Sequence, residues 1–401
     1  MNNYLLFAMN SNTKLPEKIA IVGAGLGGLT CAVALHKKGF NVEVYEKAQD
    51  FRPVGGGLGL LPNGSKILDK IHPGIVEEIK NLSCHVKETV LKNTQGENIR
   101  TRPSTRFEDN YGYPLITVWW WRLQQTLSSK IPTNLIHINH RCTGFSQDSQ
   151  GVDVYFDNQG DTKKTIRADL LIGADGIKSV VRKNLIADGE PRFLNSMSWR
   201  AVIKSDQELI SPEQMSFVRG HREFMYLLNV GNGEIAWLYR RKSSEYSLSA
   251  NKNEAKSRVL EQIAEWGKPL RSLVEETPSE RILEGGICDR LPIDSWSKGR
   301  VVLLGDSAHP MAPAAGQGAN SSFEDAWVLA DCLSNASSIS EALTNYEQRR
   351  IPRLKIIQNR SAKGEMRYYE TESEKQEREK QEKSQEMSME EYAQWLNNSQ
   401  L

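Results

Sequence analysis

Lys18 to Val22 is a short apolar run, and Asn41 to Tyr45 alternates apolar with polar positions. Both patterns predict strands, the first buried on both faces and the second on one. Between them, Leu29 to Lys38 has helical spacing, and Gly39 is its stop. Pro62-Asn63-Gly64 opens a helix to about Ile71, and Cys84 to Arg100 alternates like paired strands about a turn near Thr94 to Glu97. Tyr111 to Trp121 is strongly aromatic, and a helix starts near Leu123. If Trp119-Trp120-Trp121 were a strand, three consecutive rings could not share one face, so either one lines a cavity or interface or the run is buried between two layers. Two buried runs, Asp169 to Gly173 and Val301 to Leu304, each lead into a Gly and an Asp, then a helix.

From about Glu190 to Gly286 the pattern changes to successive strands (Ser198 to Ile203, Gln214 to Val218, Phe224 to Val230, Ile235 to Arg241), then a helix from Glu254 to Trp266. After Pro352 a helix runs to about Tyr369. Glu370 to about Glu391 has no apolar stripe before Met387, which predicts a solvated helix or partly disordered tail. The order predicts an α/β fold with an inserted, mostly antiparallel sheet.

With 401 residues, 39% of them hydrophobic, the chain can build a large core in two or three domains. The formal charge of +1 argues against a nucleic-acid binder. That neutrality is composite: Gly364 to Leu401 holds ten Glu against five Lys and Arg, so the rest of the chain is mildly basic. No apolar stretch is long enough for a membrane span. The short run Tyr4 to Met9 reads as part of an extension before the first strand. Five scattered cysteines without a C-x-x-C predict reduced thiols, a cytoplasmic setting and no metal site. His137 and His140, three apart in a strand-like run, are expected on opposite faces.

Gly23-Ala24-Gly25-Leu26-Gly27-Gly28 joins the first strand to the first helix, and Glu46 ends the next strand. This is a dinucleotide-binding turn. Gly23 permits the tight bend, Gly25 lets a pyrophosphate approach, and Gly28 lets helix and strand close up. The helix start offers N–H groups to phosphate, and Glu46 can take ribose hydroxyls. Gly55-Gly56-Gly57-Leu58-Gly59 is either a flexible loop or backbone packed on something flat. Asp175 in Gly173-Ala174-Asp175-Gly176, and Asp306 in Gly305-Asp306-Ser307-Ala308-His309-Pro310, stand where α/β folds bind ligands.

The order GAGLGG, GADG, GDSAHPMAPAAGQG resembles the group A flavoprotein monooxygenases of the para-hydroxybenzoate-hydroxylase type, over about Ile19 to Arg360. Salicylate-hydroxylase-, urate-hydroxylase- and zeaxanthin-epoxidase-like enzymes look nearest. The resemblance implies a Rossmann-like FAD-binding fold in three parts (14–75, 115–187, 287–363) with a substrate domain in two (76–114, 188–286), then a charged tail at 364–401. It implies that Gly23, Gly25, Leu26, Gly27, Gly28, Glu46 and Lys47 hold the FAD pyrophosphate and adenosine. Gly57, Asp175, Gly305 and Asp306 would line the rest of the site, with Asp306 on the ribityl chain. The loop Pro313, Gly316, Gln317, Gly318 would lie along the isoalloxazine, its N–H groups facing the N1–C2=O edge. Relatives place an arginine three residues ahead of the leucine that opens the next helix. Here Trp120 holds that position, and Arg122 is the nearby candidate. The residue after Pro313 is Ala314, which has no proton to move.

The implied reaction uses NAD(P)H and O2, through a flavin C4a-hydroperoxide, to hydroxylate an aromatic ring or epoxidise an alkene. Candidate catalytic residues are Arg200, as a binder of a carboxylate or polar substrate edge, His309, and Pro313. Expected partners are a small-molecule substrate and O2, without nucleic acid, and with peripheral membrane contact if the substrate is a lipid. Two rivals share the fold: a reductase of polyprenyl chains or halogenase-like enzyme, and a non-catalytic FAD-binding protein.

Overall fold

The computed structural model describes residues 15–158, 162–205, 209–381 and 387–398; the N-terminal run Tyr4 to Met9 lies outside them. The dinucleotide half is a six-stranded sheet in the order Ser297–Lys298, Val301–Leu303, Leu170–Gly173, Lys18–Val22, Asn41–Tyr45, Ile136–His137. All neighbours pair in parallel except the first two. The central strands are apolar throughout because both faces are covered. Helices Leu26–Lys37 and Gly318–Asn335 pack together as part of the same core. The antiparallel strands Arg141–Gln147, Val152–Asn158 and Thr162–Ala168 also join it, through Val152, Val154, Phe156 and Ile166.

The second large sheet has seven strands, in the order Leu283–Asp289, Arg192–Lys204, Glu234–Lys242, Glu223–Asn229, Gln214–Arg219, Glu88–Lys92, Asn98–Pro103. The early pair 88–103 therefore joins strands from much later in the chain, Glu88–Lys92 running parallel to Gln214–Arg219. Alternation sorts its side chains. Met197, Trp199, Ala201, Trp237 and Tyr239 pack on helices Lys252–Gln262 and Lys268–Glu276. The opposite face presents Val202, Leu228 and Ala236 to Trp119 and the glycine loop.

Four expectations change. Helix Ile339–Arg367 runs straight past Pro352 rather than starting there. Pro352 lies on the exposed side, where water can take the carbonyl of Gln348 that loses its donor. The tail is not solvated throughout: helix Glu372–Gln381 is polar, but helix Met389–Asn398 buries Tyr392, Leu396 and Asn397. His137 and His140 do not face apart. The strand ends at His137, Asn139 turns with φ +58°, and both imidazoles contact the Tyr45 ring. The tryptophan run straddles a boundary, with Trp119 ending a strand and Trp120 opening helix Trp120–Ser128.

Candidate active site

The glycine turn builds a cleft of ≈ 640 Å³, lined by Gly23, Gly25, Glu46, Lys47, Trp120, Gln124, Asp175 and Lys178 among others. Gly23 has φ +105°, and a Cβ there would stand 2.4 Å from the Ala174 carbonyl oxygen. A Cβ on Gly25 would meet nothing within 4 Å. That open space is backed by a helix start without a side-chain cap or an acid in its first turn. Its N–H groups are thus available to a phosphate, and the residues fit FAD. Glu46 accepts from Ala24 N and Ala48 N, both at 2.8 Å, which fixes the carboxylate and leaves lone pairs for ribose hydroxyls. Leu26 and Gly27 lie in the first turn; a Cβ on Gly27 would press Leu304 and Ser322 at 3.0 Å.

The two Asp-bearing turns interlock. Asp175 accepts from Ser307 Oγ at 3.1 Å, and Gly176 N donates to that same hydroxyl at 2.9 Å. Asp175 also accepts from Val180 N at 2.7 Å, so it starts helix Val180–Leu185 while lining the cleft. Gly305 N donates to Asp325 at 3.1 Å. Asp306 stays open to solvent at its tip, beside Gly318. Surrounding protein pushes its carboxyl up, Asp325 adds to that, and His309 opposes it.

The Pro313–Gly318 loop is pinned at both ends. Tyr226 donates to Tyr368 at 2.9 Å, and Tyr368 donates to the Ala314 carbonyl at 3.2 Å. Gln317 is fully buried, its amide bonded to Asn63 at 3.0 and 3.4 Å. Its side chain is therefore committed to Asn63 and does not face a ligand. Asn320 ties Gly316 O and Gly59 O together at 2.8 and 3.0 Å. Gly316 takes φ +63° at the turn into helix Gly318–Asn335.

Arg200 lies on the face of the seven-stranded sheet that meets the glycine loop; a Cβ on Gly56 would stand 3.1 Å from its Cδ. Among the described residues its guanidinium has no hydrogen bond or ion pair. Burial, then the neighbouring Arg240 cation, lowers its pKa. Ser198 Oγ and Arg240 Nε, on the same face, are buried without partners, although Arg240 Nη1 holds Glu365 at 2.9 Å. The face thus carries unused donors beside apolar Val202, Leu228 and Trp119.

Three sequence candidates are placed elsewhere. Arg122 turns away from the cleft: its guanidinium ion-pairs Glu234 and donates to the Val230 carbonyl at 2.6 Å. Trp120 takes the cleft wall instead. His309 is fully buried and bonds Asp325, so it braces the turn after Val301–Leu303 rather than reaching a pocket. Gly57 is a packing glycine, since a Cβ there would meet Ala236 Cβ at 2.7 Å. Sequence reading missed Asn63, Asn320, Tyr226 and Tyr368, whose roles depend on contacts far along the chain. It also missed the buried cluster of Glu324 and Asp325 with Arg350 and Arg353. The adjacent acids Glu324-Asp325, set between Phe323 and the apolar run Ala326 to Ala330, were its available signal.

The family described as "FAD binding domain" matches residues 17–361. Aurachin C monooxygenase/isomerase of Stigmatella aurantiaca is 32% identical over 335 residues, 84% of this chain and 85% of that protein. The 6-hydroxynicotinate 3-monooxygenase of Bordetella bronchiseptica is 29% identical over 359 residues, 85% and 89% of the two chains. Among solved structures, HpxO of Klebsiella pneumoniae complexed with FAD and uric acid has a TM-score of 0.82 at 23% identity, covering 95% of this chain and 93% of that one. The family match spans the open cradle at Gly25, the interlocked Asp turns and the pinned loop, and the chain belongs to the FAD-binding-domain family as a flavoprotein monooxygenase of group A.

Proposed function

We propose that this monooxygenase uses NAD(P)H and O2 to hydroxylate a small aromatic substrate bearing an anionic edge. The observation that carries the reading is Arg200, a half-buried cation without a protein partner, on an apolar wall beside the glycine loop. A buried cation is stable when paired, and a carboxylate or phenolate would complete it. When bound, FAD takes electrons from NAD(P)H and activates O2.

The chain's residues do the rest. The N–H groups opening helix Leu26–Lys37 hold the pyrophosphate, Glu46 the ribose, and Asp306 the ribityl hydroxyls. The N–H groups that open helix Gly318–Asn335, which has no side-chain cap, would offer donors to negative charge on the ring, and the helix start adds its field. Arg200 orients the substrate edge, and Trp119, Leu228 and Val202 exclude water around its body. Relatives whose names specify hydroxybenzoate and hydroxynicotinate substrates support an acidic ring.

The test is a screen of acidic phenols, hydroxypyridines and their neutral amides for substrate-stimulated NAD(P)H oxidation, with O2 uptake and product followed together. Preference for the acids is expected. Equal stimulation by the amides would contradict the anionic edge, and stimulation without oxygenated product would favour a reductase.

A further inference from the structure

We propose that the C-terminal helix Met389–Asn398 is a positioning element that holds the Pro313–Gly318 loop in place through Asn397, Asn63 and Gln317. The helix is firmly seated. Tyr392 and Leu396 are buried in the main core, Arg360 stands 4.3 Å over the Tyr392 ring, and Arg353 stands 4.6 Å over Trp395. Arg353 also donates to the Leu396 carbonyl at 2.7 Å, and Arg360 to the Met387 carbonyl at 3.0 Å.

Helix Pro62–Ile71 needs an acceptor for its first free N–H groups, and its N-cap position, Leu61, has no side chain that can supply one. Asn397 Oδ1 fills the gap, accepting from Asn63 N at 3.0 Å across 334 positions of sequence. The Asn63 side chain then pairs with the Gln317 amide and donates to Glu324 at 2.8 Å. Glu324 is in turn held by Arg353, the residue that grips Leu396. The last helix therefore touches the loop's anchor from two sides: directly through Asn63, and through Arg353 and Glu324. All of these groups are buried. A shift of Asn63 must therefore move Gln317, because neither amide has water to fall back on.

The proposal rests on the assignment of this loop to the flavin, so the experiment tests the two separately. FAD affinity and flavin reduction potential are measured on Asn397→Ala, Asn397→Asp, Gly316→Ala and a chain ending at Glu386. Val259→Ala, a core truncation behind the seven-stranded sheet, is the stability control. Asn397→Ala and the shortened chain are expected to bind FAD about three- to tenfold more weakly, the size of one lost buried hydrogen bond. Their potentials should move to more negative values, since misaligned N–H groups stabilise reduced, anionic flavin less, and kcat should fall more than substrate KM rises. Asn397→Asp keeps the acceptor oxygen and should restore both, and Val259→Ala should lower Tm without moving the potential. If Gly316→Ala moves the potential while Asn397→Ala and the shortened chain match wild type, the positioning role is overturned. If Gly316→Ala also leaves it unmoved, the loop assignment fails and the proposal with it. Should the shortened chain not fold, Asn397→Ala alone decides.

Discussion

Two arginines withdrawn from solvent to different degrees stand in opposite conditions. Arg350 is fully enclosed, with Asp325 at 2.7 Å, Glu324 at 2.8 Å and the Ser321 carbonyl at 3.2 Å. Arg200 is half-buried with no protein partner, beside a second cation. The first environment answers its cation with two carboxylates, and the second leaves its cation without a protein partner on an apolar wall. A paired buried charge is a structural commitment, whereas an unpaired one marks a place that a ligand completes.

The sharpest contrast comes from removing each charge. Arg350→Met leaves Glu324 and Asp325 short of a counter-ion in the core and should cost about 3–5 kcal/mol, read as a large fall in Tm. A Tm unchanged from wild type would contradict the structural role. Arg200→Met should leave Tm and FAD content intact but raise substrate KM about 10- to 100-fold, the worth of one charge-assisted hydrogen bond. Unchanged kinetics would remove Arg200 from the site.

The next effect is acid lability. Burial alone would raise Glu324 and Asp325, but Arg350 with Arg353 on Glu324, and His309 with Arg350 on Asp325, outweigh it and hold both carboxyls below their usual range. Their contribution is therefore complete above the unfolded carboxylate values of about 4 and is lost as pH falls through the lower folded values. Urea midpoints should hold down to about pH 4 and then drop, a fall that Arg350→Met should blunt. A midpoint as high at pH 3 as at pH 6 would argue against it. The smallest effect is expected at the exposed pairs of Arg167 with Asp148 and Asp153. Arg167→Ala should leave Tm within measurement error, and a clear fall would show that exposed pairs matter here.

The two regions also differed in how well the sequence revealed them. The turn at Gly23 to Gly28, Glu46 and the Asp blocks are legible because local spacing dictates their chemistry. Arg200 was a candidate because Trp199-Arg200 stands in a strand of the inserted sheet; its lack of a protein partner is visible only in the structure. The ion cluster was hidden, since Glu324 and Arg350 meet only when two helices pack. Arg122 and His309 were misjudged for the same reason: nearness in sequence to a motif does not say which way a side chain turns. At the tail, the charge run dominated the composition and masked Tyr392, Trp395 and Leu396, which share a helical face.

The central proposal is that Arg200, a cation without a protein partner, binds the anionic edge of the substrate of this flavin monooxygenase. Its most direct test compares NAD(P)H oxidation by wild type and Arg200→Met, each loaded with FAD, across one acidic phenol and its neutral amide. The predicted result is a strong preference for the acid in wild type that disappears in the variant, while FAD content stays equal. The same preference in both proteins, or none in wild type, would contradict it.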